Sequence, residues 1–188
     1  MAELRVARSE LVLGGQKSGK TARAETLAAA WLAAAPAHRA VYIATAQAWD
    51  EEMRERIERH RRDRAQRVPR METVEEPLEL VRAIGAHSRA DTLVIVDCLT
   101  LWLTARLLPM TGDARPAPDD GLIAQAVAAA AGPLVLVSNE IGLGVVPMGR
   151  EARSFVDALG RLNQQAALAC ERVTLMAAGL PMVLKDAA

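Results

Sequence analysis

Short aliphatic runs that end in glycine or polar residues alternate along this chain with longer alanine-rich or charged stretches. Leu11-Val12-Leu13 predicts a strand, and Thr21 to Ala35, rich in Ala and Leu, predicts a helix after it. Ala40-Val41-Tyr42-Ile43-Ala44 is a near-continuous apolar run, as in strands covered on both faces, and it leaves through Thr45-Ala46-Gln47. Asp50 then opens a charged segment to about Arg64, in which Met53, Ile57 and His60 recur at helical spacing and share one face. Acids lead there (Asp50 as N-cap, Glu51, Glu52) and arginines trail (Arg59, Arg61, Arg62, Arg64), the order that complements a helix dipole. Arg70 to Val74 predicts a short strand, and Pro77 suits the first turn of a helix running to about Ala86.

The second half repeats the alternation. Thr92 to Asp97 is an aliphatic strand ended by a carboxylate, followed by a helix over Leu99 to Leu108. Prolines, glycines and aspartates crowd Pro109 to Gly121, which predicts a mobile surface loop. Leu122 to Ala131 predicts a helix, and Pro133 to Val137 a strand ending in Ser138-Asn139-Glu140. A glycine-bearing loop, Gly142 to Pro147, leads to a helix from about Glu151 to Cys170 with Phe155, Leu159 and Leu162 on one side. Val173 to Ala177 predicts a last strand before Met182-Val183-Leu184. The expected fold class is therefore α/β: one domain over 1–188, a mostly parallel sheet with helices on both faces. Right-handed crossovers put the strand C-terminal ends on one edge, where ligands bind.

Chemistry collects at that edge. Gly14-Gly15-Gln16-Lys17-Ser18-Gly19-Lys20-Thr21 matches the phosphate-binding loop in full. Its glycines let backbone N–H groups curl around phosphate oxygens, Lys20 reaches the outer phosphates, and the Thr21 hydroxyl ligates Mg²⁺. The strand before and the helix after supply the context the motif needs, with the helix N-terminus aimed at the phosphates. Asp97 is the second member: a strand cap by itself, and beside a phosphate loop a carboxylate for Mg²⁺. His60, ringed by arginines, has two readings. It is either the cap of a charged, solvated helix or a largely neutral imidazole able to attack phosphorus while the guanidiniums stabilise the developing charge. Glu140 likewise either orients an acceptor hydroxyl or is a structural strand end.

Composition narrows the class. The 23 basic and 23 acidic side chains cancel, so no global field draws in nucleic acid or an anionic membrane. An aromatic fraction of 3% argues against a base-stacking surface. Asn139 is followed by Glu140 rather than Lys, which removes the guanine-reading motif of switch GTPases. No apolar run of about 18 residues is present to span a bilayer, and Met1 to Arg8 is too short and charged for a secretory core, so the cytoplasm is expected. Cys98 and Cys170 sit in apolar surroundings as buried thiols.

With these residues assembled, the chain resembles the bifunctional adenosylcobinamide kinase/adenosylcobinamide-phosphate guanylyltransferase family of cobalamin biosynthesis, over nearly its whole length. Beyond the phosphate loop, the resemblance is carried by Tyr42 to Ala46, by Asp50-Glu51-Glu52-Met53 with Arg56-Ile57 and His60, and by Thr73 to Pro77. Further matches are Asp97 to Thr100, Asn139-Glu140 with Gly142, Gly144 and Pro147, Gly160-Arg161 with Asn163-Gln164, and Gly179 to Pro181 with Lys185. The resemblance implies a RecA-like P-loop fold and two reactions. ATP or GTP phosphorylates adenosylcobinamide; a histidine, here His60, then takes GMP from GTP, expels pyrophosphate and passes GMP to adenosylcobinamide phosphate. It also implies nucleotide contacts at Gly14 to Thr21, Ala44-Thr45-Ala46, Arg61-Arg62-Asp63-Arg64, Glu75 and Asp97, with Mg²⁺ at Thr21 and Asp97. Family members are cytoplasmic homo-oligomers, trimers in the case best matched. The chain departs from the family at Met71, where Trp is usual, and at Ser138, where Thr is usual. The competing readings are a small-molecule kinase without guanylyl transfer and a non-catalytic nucleotide switch.

Overall fold

The computed structural model describes residues 4–109, 112, 114–119 and 121–187. Seven strands form one sheet: β1 (Ser9–Gly14), β2 (Arg39–Ala44), β3 (Met71–Glu75), β4 (Thr92–Asp97), β5 (Leu134–Val137), β6 (Arg172–Ala177) and β7 (Leu180–Asp186). Their spatial order is β3-β2-β4-β5-β1-β6-β7, parallel throughout except for β7, which returns antiparallel to β6. Among the described residues six helices connect them: α1 (Lys20–Ala34), α2 (Glu51–Arg67), α3 (Leu80–His87), α4 (Leu99–Leu107), α5 (Leu122–Ala129) and α6 (Arg150–Ala169).

The central strands are uninterrupted aliphatic runs because both sheet faces are covered. Side chains alternate between two cores. Leu11, Ile43, Val96 and Leu136 pack with Ile84, Trp102, Ile123, Leu159 and Leu162 from α3 to α6. Val12, Tyr42, Ile95 and Val135 pack on the other face with Ala24, Leu27, Ala28 and Leu32 of α1. The helix that follows the phosphate loop therefore supplies most of the helical side of that core, with Val68 at the end of α2 joining it.

Three expectations change in detail. Pro77 stands ahead of α3 rather than in its first turn, because the Glu76 side chain accepts from the N–H groups of Leu78 (3.0 Å) and Glu79 (2.9 Å) and holds a turn there. The C-terminal stretch is a full strand, since Ala178 (φ 50°) and Gly179 (φ 80°) supply the positive φ pair of a tight hairpin turn. Of the Pro109 to Gly121 loop, Met110, Thr111, Asp113 and Asp120 lie outside the described residues, while Arg115 is tied to Glu79 at 2.6 Å and to the Arg106 carbonyl at 2.7 Å.

α2 is unlike the other helices. Asp50 caps it as expected, accepting from Met53 N–H at 2.7 Å, but Arg64 is its one buried residue. The Arg67–Glu25 ion pair (2.9 Å) and buried Val68 fasten its last turn to the body of the protein.

Candidate active site

The loop between β1 and α1 depends on backbone that only glycine takes easily. At Gly14 (φ +148°) a Cβ would stand 2.5 Å from both the Met176 carbonyl oxygen and Ser18 Oγ. Gly19 (φ +101°) forms the N-cap of α1, so the helix begins at Lys20. The Lys20 ammonium, 8% exposed, donates to the carbonyls of Gly14 (3.0 Å) and Gly15 (2.6 Å). Burial lowers its pKa and the nearby Asp97 charge opposes that shift, so Lys20 is a cation already stripped of much of its water.

Asp97 ends β4, two strands from β1, with β5 between them. α1 crosses that gap, and Thr21 Oγ1 donates to Asp97 Oδ2 at 2.8 Å. Hydroxyl and carboxylate are both half-buried at the rim. Hard oxygen donors of this kind suit Mg²⁺, which takes one or two protein oxygens and completes its shell from phosphate and water. Among the described residues no cluster of three or more His, Cys, Asp or Glu is built to hold a metal without such help.

Tyr42 is a partner that sequence reading missed. Its hydroxyl donates to the same Asp97 oxygen at 2.6 Å. Burial first, then the Asp97 charge and hydrogen bond, push the phenol well above its ordinary range and keep it a donor. Arg64 lies over the Tyr42 ring, 3.9 Å from its centroid, and also meets Thr73 Oγ1 (3.3 Å) and the His60 carbonyl (3.5 Å). One hydroxyl in an otherwise aliphatic strand, beside a strand ending in Asp, was the available signal.

The other expected residues divide. Thr45 is fully buried and serves structure: its Oγ1 donates to the Cys98 carbonyl (2.7 Å) and accepts from Cys98 N–H (2.8 Å), across the cis Asp97–Cys98 peptide. Ala44 and Ala46 flank it, half-buried, and Glu75 is exposed at the end of β3 beside Ala44. Gly15, Gln16 and Lys17 are exposed on the loop, and Ser18 is buried beneath it. His60, Arg61 and Arg62 are exposed on α2, Asp63 is half-buried, and Arg64 is inside. Among the described residues the His60 ring makes no hydrogen bond, and its helix is joined to the loop region through the Arg64–Tyr42–Asp97 series and the Arg67–Glu25 ion pair.

The model of the family "Cobinamide kinase / cobinamide phosphate guanyltransferase" matches residues 10–184. The chain belongs to this family. It is 46% identical over 177 residues to the bifunctional adenosylcobalamin biosynthesis protein CobP of Pseudomonas aeruginosa, covering 94% of this chain and 96% of that protein. It is 36% identical over 187 residues to the bifunctional CobU of Escherichia coli, covering 93% and 98%. Salmonella typhimurium CobU is 35% identical, with the same coverage. Among solved structures, flagellar accessory protein FlaH from Methanocaldococcus jannaschii superposes with a TM-score of 0.54 at 13% identity, over 95% of this chain and 78% of that one. At such identity the likeness carries the fold alone. That fold is RecA-like: this family member keeps a strand between its loop strand and its Asp97 strand.

Proposed function

We propose that one nucleotide grip at this sheet edge serves two reactions in cobalamin biosynthesis, the family's cobinamide kinase and cobinamide-phosphate guanylyltransferase activities. The observation that carries the reading is the Thr21–Asp97 contact at 2.8 Å beside the buried Lys20, a phosphate loop and carboxylate assembled from two strands.

In the first reaction the alcohol oxygen of adenosylcobinamide attacks the γ-phosphorus of ATP or GTP. The bond to the bridging oxygen breaks and nucleoside diphosphate leaves. Lys20 and the loop amides hold the phosphates and neutralise charge as it shifts. Thr21 and Asp97 would hold Mg²⁺, which would supply positive charge against the phosphate oxygens. In the second reaction a ring nitrogen of His60 attacks the α-phosphorus of GTP and pyrophosphate leaves. An oxygen of adenosylcobinamide phosphate then displaces the histidine, giving adenosylcobinamide-GDP. Exposed Arg61 and Arg62 flank His60 and supply positive charge to that centre, while Arg64 docks the helix that carries it. Ala44, Ala46 and Glu75, on neighbouring strand ends, border the same nucleotide, with buried Thr45 holding the backbone between the two alanines.

The substrates are small molecules, and among the described residues no helix is long and apolar enough to cross a membrane, which fits a cytoplasmic enzyme. Aliphatic side chains left exposed on β7 and at Leu168 are surface that a second copy would cover, in keeping with a homo-oligomer, a trimer by the family resemblance.

The purified protein is expected to phosphorylate cobinamide with labelled ATP and, given GTP, to release pyrophosphate. Lys20→Ala is expected to lower both rates by about 10²–10³-fold. Loss of one activity with the other intact would contradict a shared grip.

A further inference from the structure

Two stretches of the sequence pattern lie outside the nucleotide grip: Asn139 to Gly142 beyond β5, where Glu140 has two open readings, and Gly160 to Gln164 midway along α6. They meet in space. A cleft of about 350 Å³ lies between them, lined by Glu140, Gly142, Asp157, Gly160, Arg161 and Gln164 among others.

Its inner end adjoins the phosphate loop. Glu140 N–H donates to the Gly14 carbonyl at 3.2 Å, and the same carbonyl accepts from Lys20 Nζ at 3.0 Å. The β5 exit is held firmly in that position. Asn139 N–H donates to Thr100 Oγ1 and its carbonyl accepts from Asn163 Nδ2, both at 3.0 Å, with Asn163 only 4% exposed. Gly142 N–H donates to Glu140 Oε1 at 3.2 Å and orients the carboxylate. Beyond Gly142, Leu143, Val145, Val146 and Met148 form an apolar apron, 72–96% exposed.

The nucleotide is already accounted for by the loop, Thr21 and Asp97, so this cleft is free for the second substrate. Its volume, small by the standards of ligand sites, suits one arm of a larger molecule. Carboxylates and a glutamine side chain offer acceptors to primary amides, and the apron offers area to an apolar ring face.

We propose that this cleft binds the phosphoryl acceptor, an amide-rimmed macrocycle whose alcohol-bearing arm reaches along α6 to the Gly14 end. The assignment rests on the kinase reading above. Glu140 accepts the hydroxyl proton as the alcohol oxygen bonds to the γ-phosphorus and the bond to the leaving diphosphate breaks. Arg161 then faces the phosphate that has formed.

Gly160→Leu tests this. A Cβ at Gly160 meets no heavy atom within 4 Å, and inside a helix Leu is preferred over Gly. The fold is thus retained while the new side chain enters the cleft. The expected result is a KM for cobinamide raised at least about tenfold, with the KM for ATP and corrinoid-free guanylylation by GTP changed less than about twofold. Glu140→Gln is expected to lower kcat for phosphorylation by about 10²-fold or more while leaving the KM for cobinamide and the guanylylation intact. A wild-type enzyme active on cobinamide together with an unchanged KM in Gly160→Leu would overturn the cleft alone. Equal losses toward nucleotide and corrinoid would also overturn it. A wild-type protein inert toward cobinamide would sink the kinase reading and the cleft with it.

Discussion

Asp97 Oδ2 accepts from two hydroxyls, Thr21 Oγ1 on one side and Tyr42 on the other. Only the first is part of the phosphate-loop motif. In the Mg²⁺ site proposed above, Tyr42 would orient the carboxylate from behind, as outer groups around metal ligands do. Tyr42→Phe keeps the ring under Arg64 and deletes this one bond. It is expected to raise the Mg²⁺ concentration for half-maximal activity about tenfold while the KM for cobinamide stays put. A Mg²⁺ titration of the initial rate would reveal it, and an unchanged midpoint would count against Tyr42. The two thiols make a second residue-level case. Burial pushes Cys98 and Cys170 up to about 12, from 9.0. Between those values the folded chain keeps protons that the unfolded chain has released, so these groups make stability fall as pH rises through that window. At about pH 8 both thiols are expected to resist iodoacetamide in the folded protein and to react once urea unfolds it, as mass spectrometry would record.

Among elements, α2 is the one whose position the rest of the structure governs least. Its charged sequence gave the N-cap and the helix, because capping and dipole order are local effects. How the helix docks was not legible. Arg64 reads as one more cation in a solvated series, and its burial over Tyr42 exists only once β2 and α2 are brought together. Thr45, a nucleotide contact by the family resemblance, has its hydroxyl spent on Cys98, a pairing that likewise exists only once β2 and β4 lie side by side. The phosphate loop and Asp97, by contrast, were plain, since glycine spacing and a strand-ending carboxylate are written in consecutive residues. Arg64→Met keeps much of the volume and removes the cation. Because His60 lies one turn away on the same helix, guanylylation is expected to slow at least about tenfold and phosphorylation far less. Rapid-quench comparison of the two reactions would show it, and equal slowing would mean that Arg64 supports the fold rather than the helix.

For the whole molecule, the sheet order brings the two halves of the chemistry to one edge. The loop leaves β1, Asp97 ends β4 beyond the intervening β5, and α1 spans the distance with Thr21. α2 rises beyond β2 on that same edge and carries His60, while Glu140 leaves β5 next to the loop. On the function proposed above, this architecture separates a shared triphosphate grip from two different attacking groups, an alcohol and an imidazole. Chemistry at one should survive loss of the other. The most direct test uses GTP labelled at the α-phosphate, without corrinoid, in the wild-type protein and in His60→Ala. The wild type is expected to carry an acid-labile, alkali-stable label on the peptide containing His60, and His60→Ala to carry none while still phosphorylating cobinamide with ATP. Label persisting in His60→Ala, or no label on the wild type, would contradict the account.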